Sequence, residues 1–301
     1  MALDRPLIAP SPSLLAARGW RDYALLDSGG GRKLERCGPF RLVRPEAQCL
    51  WRPSLPEGAW AGADAIFEAS SEEEAGRWAP DGLEGETWPM AFEDLPFRGR
   101  FTAFRHVGFF PEQQPNWSWL KTRLQEAPPA FRLLNLFAYT GVASLLAASC
   151  GAQTTHLDAS KRAIGWARDN AEAAGLSSAS VRWICDDAAK FVARERRRGA
   201  AYDGIILDPP KYGRGPKGEV WRLLEGLPAL LGDCASLLSK EAHFLLLNAY
   251  DERLSGPALA SLMAEALEGR GGAIEWGELA LFEEGGARAI GLSFFARWEG
   301  P

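Results

Sequence analysis

The chain has 301 residues, of which 47% are apolar and 24% charged, and this composition is typical of a globular protein with one or two domains. A formal net charge of −5 excludes a generic polyanion binder, so any contact with nucleic acid must come from local basic clusters. Five scattered cysteines and three histidines without ligand spacing argue against a disulfide framework and predict no metal. There is no long apolar run or signal peptide, so we expect a cytoplasmic protein with no membrane partner.

The N-terminal third predicts a small domain preceded by an arm. Residues 1–20 are punctuated by proline and serine and predict a loose arm with a little local helix. From 21 to 115, short apolar runs alternate with turn signals, which favours a β-rich accessory domain. Within it, residues 70–78 contain three consecutive glutamates and are compatible with a short helix or a turn. Asn116 is then expected to cap a helix over 117–124.

Residues 116–301 alternate between strand and helix patterns, which predicts an α/β domain. The sheet is expected to be Rossmann-like, seven-stranded and mostly parallel, because its strands are joined through helices. The last two strands are separated only by a turn, so we expect an antiparallel strand at one edge. The predicted strands are 131–137, 153–157, 180–184, 203–207, 243–248, 274–281 and 288–297, and the predicted helices are 141–149, 160–174, 187–198, 219–238 and 256–269.

The segment 131–141 runs from an apolar strand through a tight turn into an alanine-rich helix. A unit of this kind directs backbone N–H groups and a positive helix end at whatever lies over the turn. The side chains supply donors and acceptors, and a glycine at the end of the turn lets the backbone approach closely. The candidate cofactor-binding residues of this segment are Asn135, Phe137, Tyr139, Thr140 and Gly141.

Acidic residues end the next two predicted strands. Asp158 follows the second strand at a spacing that suits a carboxylate accepting hydrogen bonds from the two hydroxyls of a ribose. Ser160, also a candidate at this site, is expected to cap the following helix. Asp186 and Asp187 end the third strand, where one is expected to accept from an adenine amino group and the other to cap a helix. Asp187 is the preferred adenine acceptor.

The fourth strand ends in Asp208-Pro209-Pro210-Lys211-Tyr212, which indicates an acceptor loop with a catalytic role. Two prolines remove two N–H donors and leave carbonyl oxygens for an amine-bearing ring held flat against the tyrosine. Asp208 can accept a proton or a hydrogen bond from the acceptor and also borders the cofactor. A basic cluster follows and is expected to bind phosphates of the substrate, with a solvated loop as the alternative: Lys211, Arg214, Lys217 and Arg222.

On these residues, the stretch from about 100 to 255 resembles the large-subunit ribosomal RNA methyltransferases of the class I S-adenosylmethionine type, in the group with cytosine-C5 and guanine-N7 enzymes. The resemblance implies S-adenosylmethionine as cofactor and RNA as partner, and it implies that Gln113 helps to close the cofactor pocket. The matching segments are Gly108–Gln113, Leu134–Gly141, Asp158–Ser160, Asp186-Asp187 and Asp208–Tyr212.

The chain departs from that family in two places. The cytosine members carry a Thr-Cys-Ser-Cys stretch where this chain has Asn248-Ala249-Tyr250-Asp251, so their catalytic thiol is missing. Residues 1–20 are also too short for the RNA-binding module that precedes the family's catalytic domains. We therefore expect methylation of a base nitrogen in RNA without a catalytic cysteine. Two alternatives stay open: methylation of a protein side chain or small molecule, and a silent protein that only binds the cofactor.

Overall fold

The computed structural model describes residues 5–70 and 75–301. Of the segment 70–78, for which a short helix or a turn was expected, residues 71–74 with the three glutamates lie outside the described residues, and the described end of the segment belongs to a strand, Gly76–Ala79, instead. The chain divides into two compact units. The first unit comprises residues 5–15, Pro115–Leu279 and Leu292–Pro301, and the second comprises Ala16–Gln114 and Ala280–Gly291.

The described residues form strands and helices, which are numbered here in chain order. The strands are β1 (Leu7–Ile8), β2 (Ser13–Ala17), β3 (Tyr23–Gly29), β4 (Arg32–Cys37), β5 (Phe40–Pro45), β6 (Ala65–Ala69), β7 (Gly76–Ala79), β8 (Thr87–Phe92), β9 (Leu95–Arg100), β10 (Arg132–Leu136), β11 (Gln153–Asp158), β12 (Val181–Cys185), β13 (Gly204–Leu207), β14 (Tyr212–Arg214), β15 (Val220–Arg222), β16 (Phe244–Ala249), β17 (Ala273–Phe282) and β18 (Ala289–Glu299). The helices are α1 (Glu57–Ala61), α2 (Gln114–Gln125), α3 (Val142–Ser149), α4 (Lys161–Ala173), α5 (Ala188–Arg197), α6 (Leu223–Leu237) and α7 (Gly256–Ala266), with a 3-10 turn at Pro111–Gln113.

The large sheet has the order β1-β17-β18-β16-β13-β10-β11-β12, with β2 also paired to β17. Strands β16, β13, β10, β11 and β12 are mutually parallel, as their helical connections require. Their carboxyl ends therefore lie along one edge of the sheet, where open α/β sheets bind ligands. The predicted fold class, a mostly parallel α/β sheet preceded by a β-rich part, is confirmed.

Buried leucines fix which helices cover which face of this sheet. Leu134 and Leu136 of β10 belong to a core formed with residues of α5, α6 and α7. Side chains alternate along a strand, so Asn135 points to the opposite face, where it bonds to Ser144 of α3. The parallel strands are thus covered by helices on both faces, which leaves the ends of the strands as the places where a ligand can reach them.

The second unit is built on a five-stranded sheet of order β3-β4-β5-β6-β7 and a separate pair, β8 and β9. A buried ion pair lies inside it, since Glu35 accepts two hydrogen bonds from the Arg44 guanidinium, at 2.6 and 2.7 Å. Despite burial, Arg44 and Lys33 hold the pKa of Glu35 at about 2. The predicted β-rich character of this region matches these strands.

Four local expectations were wrong. The arm at 1–20 forms no helix in its described part and instead contributes β1 and β2. The last two strands, β17 and β18, are not the outermost part of the sheet, because β1 and β2 pair with β17 and extend the sheet beyond the seven strands expected. Residues 212–222 form a hairpin, so the helix expected from 219 begins at Leu223. Asn116 lies inside α2 rather than capping it.

Candidate functional site

The turn between β10 and α3 has an unusual backbone. Phe137, Tyr139 and Gly141 have φ angles of 56°, 49° and 88°. These values lie in the left-handed region, which residues other than glycine rarely adopt. A Cβ atom at Gly141 would lie 3.1 Å from the Ala167 Cβ, so a larger residue would crowd helix α4. Strained backbone of this kind is retained where the surrounding structure holds a ligand-binding segment in place.

Asp158 fixes this turn from the neighbouring strand. One carboxylate oxygen accepts a hydrogen bond from the Tyr139 backbone N–H at 2.9 Å, and the other accepts from the Ser160 N–H at 2.8 Å. Burial raises the pKa of Asp158, while these backbone hydrogen bonds lower it. The carboxylate therefore lies at the carboxyl edge of the sheet, between two loops. Ser160 accepts from the Ala163 N–H and caps α4, the role expected for it.

Asn135 supports the turn from below. It was expected to offer its side chain to the cofactor, but its amide donates to the Ser144 hydroxyl at 2.9 Å. That hydroxyl lies 2.9 Å from His156 Nδ1, and all three side chains are buried. Burial lowers the pKa of His156 to about 3, so the ring is neutral at physiological pH. Sequence reasoning missed Ser144 and His156, although each is a polar residue in an otherwise apolar element.

The other side chains of the turn pack around this support. The Phe137 ring lies 5.1 Å from the Trp221 ring, and the Tyr139 ring lies 6.2 Å from that of Trp166. The Thr140 carbonyl accepts from the buried Asn170 amide at 2.9 Å. The turn is therefore anchored on both sides, with its backbone toward the carboxyl edge of the sheet.

The two aspartates after β12 divide their roles differently from the expectation. Asp187, preferred as the adenine acceptor, is the residue that caps α5, by accepting from the Lys190 N–H at 2.9 Å. Asp186 accepts from the Asp187 N–H and forms an ion pair with Arg194. Asp187 uses one oxygen, Oδ1, for the cap, so capping leaves the other to accept a hydrogen bond.

The Asp-Pro-Pro corner lies next to the turn because β13 pairs with β10. Its prolines were expected to leave their carbonyls available, but Trp221 Nε1 donates to the Pro210 oxygen at 2.8 Å. The Asp208 N–H donates to the Leu136 oxygen across the two strand ends. The ends of β10, β11 and β13 thus bring Asp158, the turn and Asp208 to one edge, as the sequence spacing predicted.

The antiparallel pair β14–β15, here called the acceptor hairpin, extends from this corner. Tyr212 pairs with Arg222 and Arg214 with Val220, so these four side chains share one face, and all four are exposed. Half of the Tyr212 surface is accessible. Trp221 is buried on the other face, which anchors the hairpin.

The basic cluster predicted here is partly neutralised. Lys211 pairs with Glu252 at 2.8 Å, and Arg222 lies 3.8 Å from Glu225. Arg214 and Lys217 form no ion pair with any residue in the described part of the chain. The hairpin therefore presents two uncompensated positive charges in addition to its aromatic ring.

The end of β16, where a catalytic thiol was considered and rejected, carries amide and carboxylate groups. Asn248 accepts from the Asn116 amide at 2.9 Å, and the Asn116 oxygen accepts in turn from the buried Arg297. Asp251 is buried and forms a two-point ion pair with Arg253, whose hydrogen bonds lower the Asp251 pKa. Asn248, Asn116 and Arg297 thus form a buried chain of hydrogen bonds without sulfur.

Gln113 lies in the second unit, in the 3-10 turn Pro111–Gln113, and is buried. Its predicted role in closing the cofactor pocket stays a prediction. Among residues 5–70 and 75–301, no group of three or more His, Cys, Asp or Glu side chains is arranged to hold a metal ion. No helix within the same ranges is long and apolar enough to cross a membrane.

A parallel sheet with a strained turn, a helix N-terminus and aspartates at neighbouring strand ends defines an adenosyl-cofactor-binding α/β domain. Residues 44–244 match the S-adenosylmethionine-dependent methyltransferase family, and the chain therefore belongs to that family. The predicted cofactor, S-adenosylmethionine, and the predicted reaction class are confirmed.

Known relatives agree with this membership. The crystal structure of an S-adenosylmethionine-dependent methyltransferase from Agrobacterium tumefaciens superposes with a TM-score of 0.95 at 49% identity, covering 99% of this chain and 96% of that one. Ribosomal RNA large subunit methyltransferase I of Aeromonas salmonicida is 35% identical over 107 residues, which are 35% of this chain and 26% of the relative. Methyltransferase K/L of Chromohalobacter salexigens is 30% identical over 205 residues, 65% of this chain and 27% of the relative. The chain thus spans about a quarter of these two curated relatives.

Proposed function

We propose that this protein methylates a base nitrogen of RNA, with ribosomal RNA as the substrate class. The observation that carries the proposal is the exposed face of the acceptor hairpin, where Tyr212 lies beside Arg214 and Arg222. An aromatic ring with neighbouring guanidinium groups suits an unpaired base and its phosphates, because every base has a face that stacks. The similarity to ribosomal RNA methyltransferases supports the same substrate.

The residues around the strained turn fit the cofactor. Gly141 leaves a space at the turn that a Cβ would fill, and the Asp158 carboxylate is held at the sheet edge by two backbone N–H groups. We assign Asp158 to the ribose hydroxyls and the second oxygen of Asp187 to the adenine amino group. Bound S-adenosylmethionine supplies a methyl group carried on a positively charged sulfur.

The acceptor side is assigned to the corner next to the turn. Tyr212 stacks on the target base, and Asp208 accepts a hydrogen bond from the base nitrogen and takes up its proton. The Pro209 carbonyl is the second acceptor, since the Pro210 oxygen is already bound by Trp221. Methyl transfer to a nitrogen requires alignment more than acid–base chemistry, so these residues contribute mainly by positioning.

A nitrogen acceptor is favoured over carbon-5 of cytosine because that reaction needs a reactive thiolate. Burial raises the pKa of Cys49 to about 11, and it raises those of Cys37 and Cys234 further. The pKa of Cys185, the cysteine that ends β12, is also raised by burial. None of these four thiols is activated, and β16 ends without a cysteine.

A protein side chain or a small molecule is the second candidate acceptor, and the net charge of −5 favours it. The two candidates differ in what they require of the acceptor hairpin. RNA needs the exposed ring and the cationic side chains, whereas a small acceptor needs an enclosed apolar pocket. The half-exposed Tyr212 supports RNA.

The test is methylation of cell extracts with tritiated S-adenosylmethionine, using RNA and protein fractions from a strain that lacks the gene. We expect label in large-subunit ribosomal RNA, in a nucleoside that mass spectrometry identifies as N-methylated. Label confined to protein or to small molecules would refute an RNA substrate. Label at carbon-5 of cytosine would refute the nitrogen assignment alone.

A variant pair then tests the hairpin. Tyr212→Ala is expected to lower kcat/KM for RNA by about 5- to 150-fold, the range for loss of one stacked base. Tyr212→Phe keeps the ring and is expected to stay close to the wild type. Equal activity in all three proteins would show that Tyr212 does not hold the base.

A further inference from the structure

The second unit contains a cavity of about 510 Å³ that the reaction described above does not use. Three segments line it: residues 17–21 and 23–25, Arg36 of β4, and residues 282–286 at the end of β17 and in the loop that follows. Its charged lining residues are Arg18, Arg21, Arg36, Glu283 and Glu284. The cavity is large enough for a nucleotide. Which ligand it can bind depends on which of these charged side chains are already paired with another residue.

The backbone of Arg18 is anchored by hydrogen bonds, and its guanidinium lies over an aromatic ring. Its backbone N–H donates to Gln114 Oε1 at 2.7 Å, and its carbonyl accepts from Gln114 Nε2 at 2.9 Å. The guanidinium carbon lies 4.0 Å from the centre of the Phe282 ring. No carboxylate within the described ranges pairs with Arg18. A planar cation fixed on an aromatic ring keeps its edge free to bind an anion.

Arg36 is held by the backbone of the segment that also contains Arg18 and Arg21. Its Nη1 donates to the Arg21 carbonyl at 2.7 Å, and it forms no ion pair with the residues that the structure describes. Arg21 differs, because it pairs with Asp22 at 3.0 Å and is strongly exposed. Arg18 and Arg36 are therefore the two uncompensated cations of the cavity.

The two carboxylates of the cavity are not equivalent. Glu283 is buried, accepts from the Ser28 hydroxyl and pairs with Arg288, a guanidinium that it shares with Asp27. Glu284 is exposed and uses its backbone N–H, bonded to the Leu25 carbonyl, to hold the loop. Glu284 is thus a carboxylate without a cationic partner in the described part of the chain, facing two guanidinium groups that have no acidic partner there.

We propose that this cavity, the Arg18–Arg36 site, binds backbone phosphates of the RNA substrate. The proposal rests on RNA being the substrate. Guanidinium groups without acidic partners suit phosphate oxygens, because each one presents a planar set of N–H donors that can bind a phosphate at two points. The site adds affinity and register and contacts no reacting atom.

The test is RNA binding at a series of salt concentrations, using an unmodified single-stranded fragment of large-subunit ribosomal RNA. The double variant Arg18→Ala/Arg36→Ala is expected to bind about tenfold more weakly at low salt. The slope of log affinity against log salt should decrease by about 1.4, which corresponds to two lost phosphate contacts. Arg77→Ala is the matched control, because Arg77 is exposed in the same unit but paired with Glu68.

Glu284→Gln is expected to change RNA affinity in the opposite direction. Removal of the free carboxylate is expected to tighten RNA binding and to leave S-adenosylmethionine affinity unchanged. Arg18 keeps its hydrogen bonds to Gln114 through backbone atoms, so we expect the double variant to fold and to bind S-adenosylmethionine like the wild type. Thermal melting checks this.

The outcomes separate this proposal from the proposed function. If wild-type protein binds and methylates RNA but the double variant has the same affinity and salt slope, the Arg18–Arg36 site is refuted and the RNA substrate stands. If wild-type protein neither binds nor methylates RNA, both are refuted. Binding of a free mononucleotide that the double variant abolishes, with RNA binding unchanged, also overturns the phosphate-backbone assignment.

Discussion

Replacement of Asp158 by alanine should weaken S-adenosylmethionine binding while leaving the sheet intact. In the structure the carboxylate accepts from the Tyr139 and Ser160 N–H groups at 2.9 and 2.8 Å. The variant loses a charged acceptor for the ribose, which is worth about 1.5–3 kcal/mol. The dissociation constant is therefore expected to rise by about 10- to 150-fold.

The same change leaves two backbone N–H groups without their acceptor, so it also lowers the free energy of unfolding by about 1–3 kcal/mol. Asp203→Ala is the matched control. The Asp203 carboxylate accepts from the Arg132 N–H at 2.9 Å at the opposite end of β10 and β13. It should cost similar stability without changing cofactor affinity.

Isothermal titration calorimetry with S-adenosylmethionine and with S-adenosylhomocysteine measures both variants, and urea unfolding measures their stability. If Asp158→Ala binds the cofactor like the wild type, the ribose lies elsewhere. If Asp203→Ala weakens binding to the same extent, the effect of Asp158 is a loss of stability rather than of a direct contact.

Two further predictions concern the turn and its support. Gly141→Ala and Gly151→Ala each place alanine at a positive φ (88° and 87°) and should each cost about 1–2 kcal/mol in stability. Only Gly141 has neighbours within 4 Å of the new Cβ, so calorimetry should detect weaker cofactor binding in that variant alone; equal affinities would contradict the close approach. His156 has its pKa lowered to about 3, so the unfolded chain takes up a proton below about pH 6.5 that the fold does not, and stability falls as the pH decreases from 6.5 toward 3. In His156→Gln this fall should be shallower by about 1 kcal/mol per pH unit, as measured by urea unfolding at pH 7 and pH 5, and an unchanged slope would show that His156 is not the group that titrates.

The positions of the site residues along the chain were predictable from two features of the sequence. The hydrophobic pattern shows where each strand ends, and the helical connections show that the strands are parallel, so their carboxyl ends lie together. Asp158, the turn and Asp208 follow neighbouring strands, and the structure brings them to one edge. The direction of a side chain at the edge was harder to predict. Asn135 was expected to face the cofactor, but alternation along β10 turns it toward α3 and Ser144.

Other features depend on contacts that sequence spacing does not encode. Strand β1 has only two residues and pairs with β17, more than 260 positions later, so no local pattern identifies it. The acceptor hairpin has three-residue strands around a Gly- and Pro-rich turn. These strands are too short to show a clear alternation, so the sequence pattern assigns its second strand to the helix that follows. Asn116 is a residue type that often caps helices, but α2 already begins at Gln114. The buried Asn116 side chain donates a hydrogen bond to Asn248 instead.

Trp221 connects three parts of the site. Its ring lies against Phe137 of the turn, its Nε1 binds the Pro210 oxygen, and its backbone belongs to the acceptor hairpin. A single indole thus contacts the turn, the proline corner and the hairpin, so a displacement of any one of them is passed to the other two. If the turn holds the methyl donor and the hairpin holds the acceptor, as proposed, we expect binding of the two ligands to be coupled through Trp221.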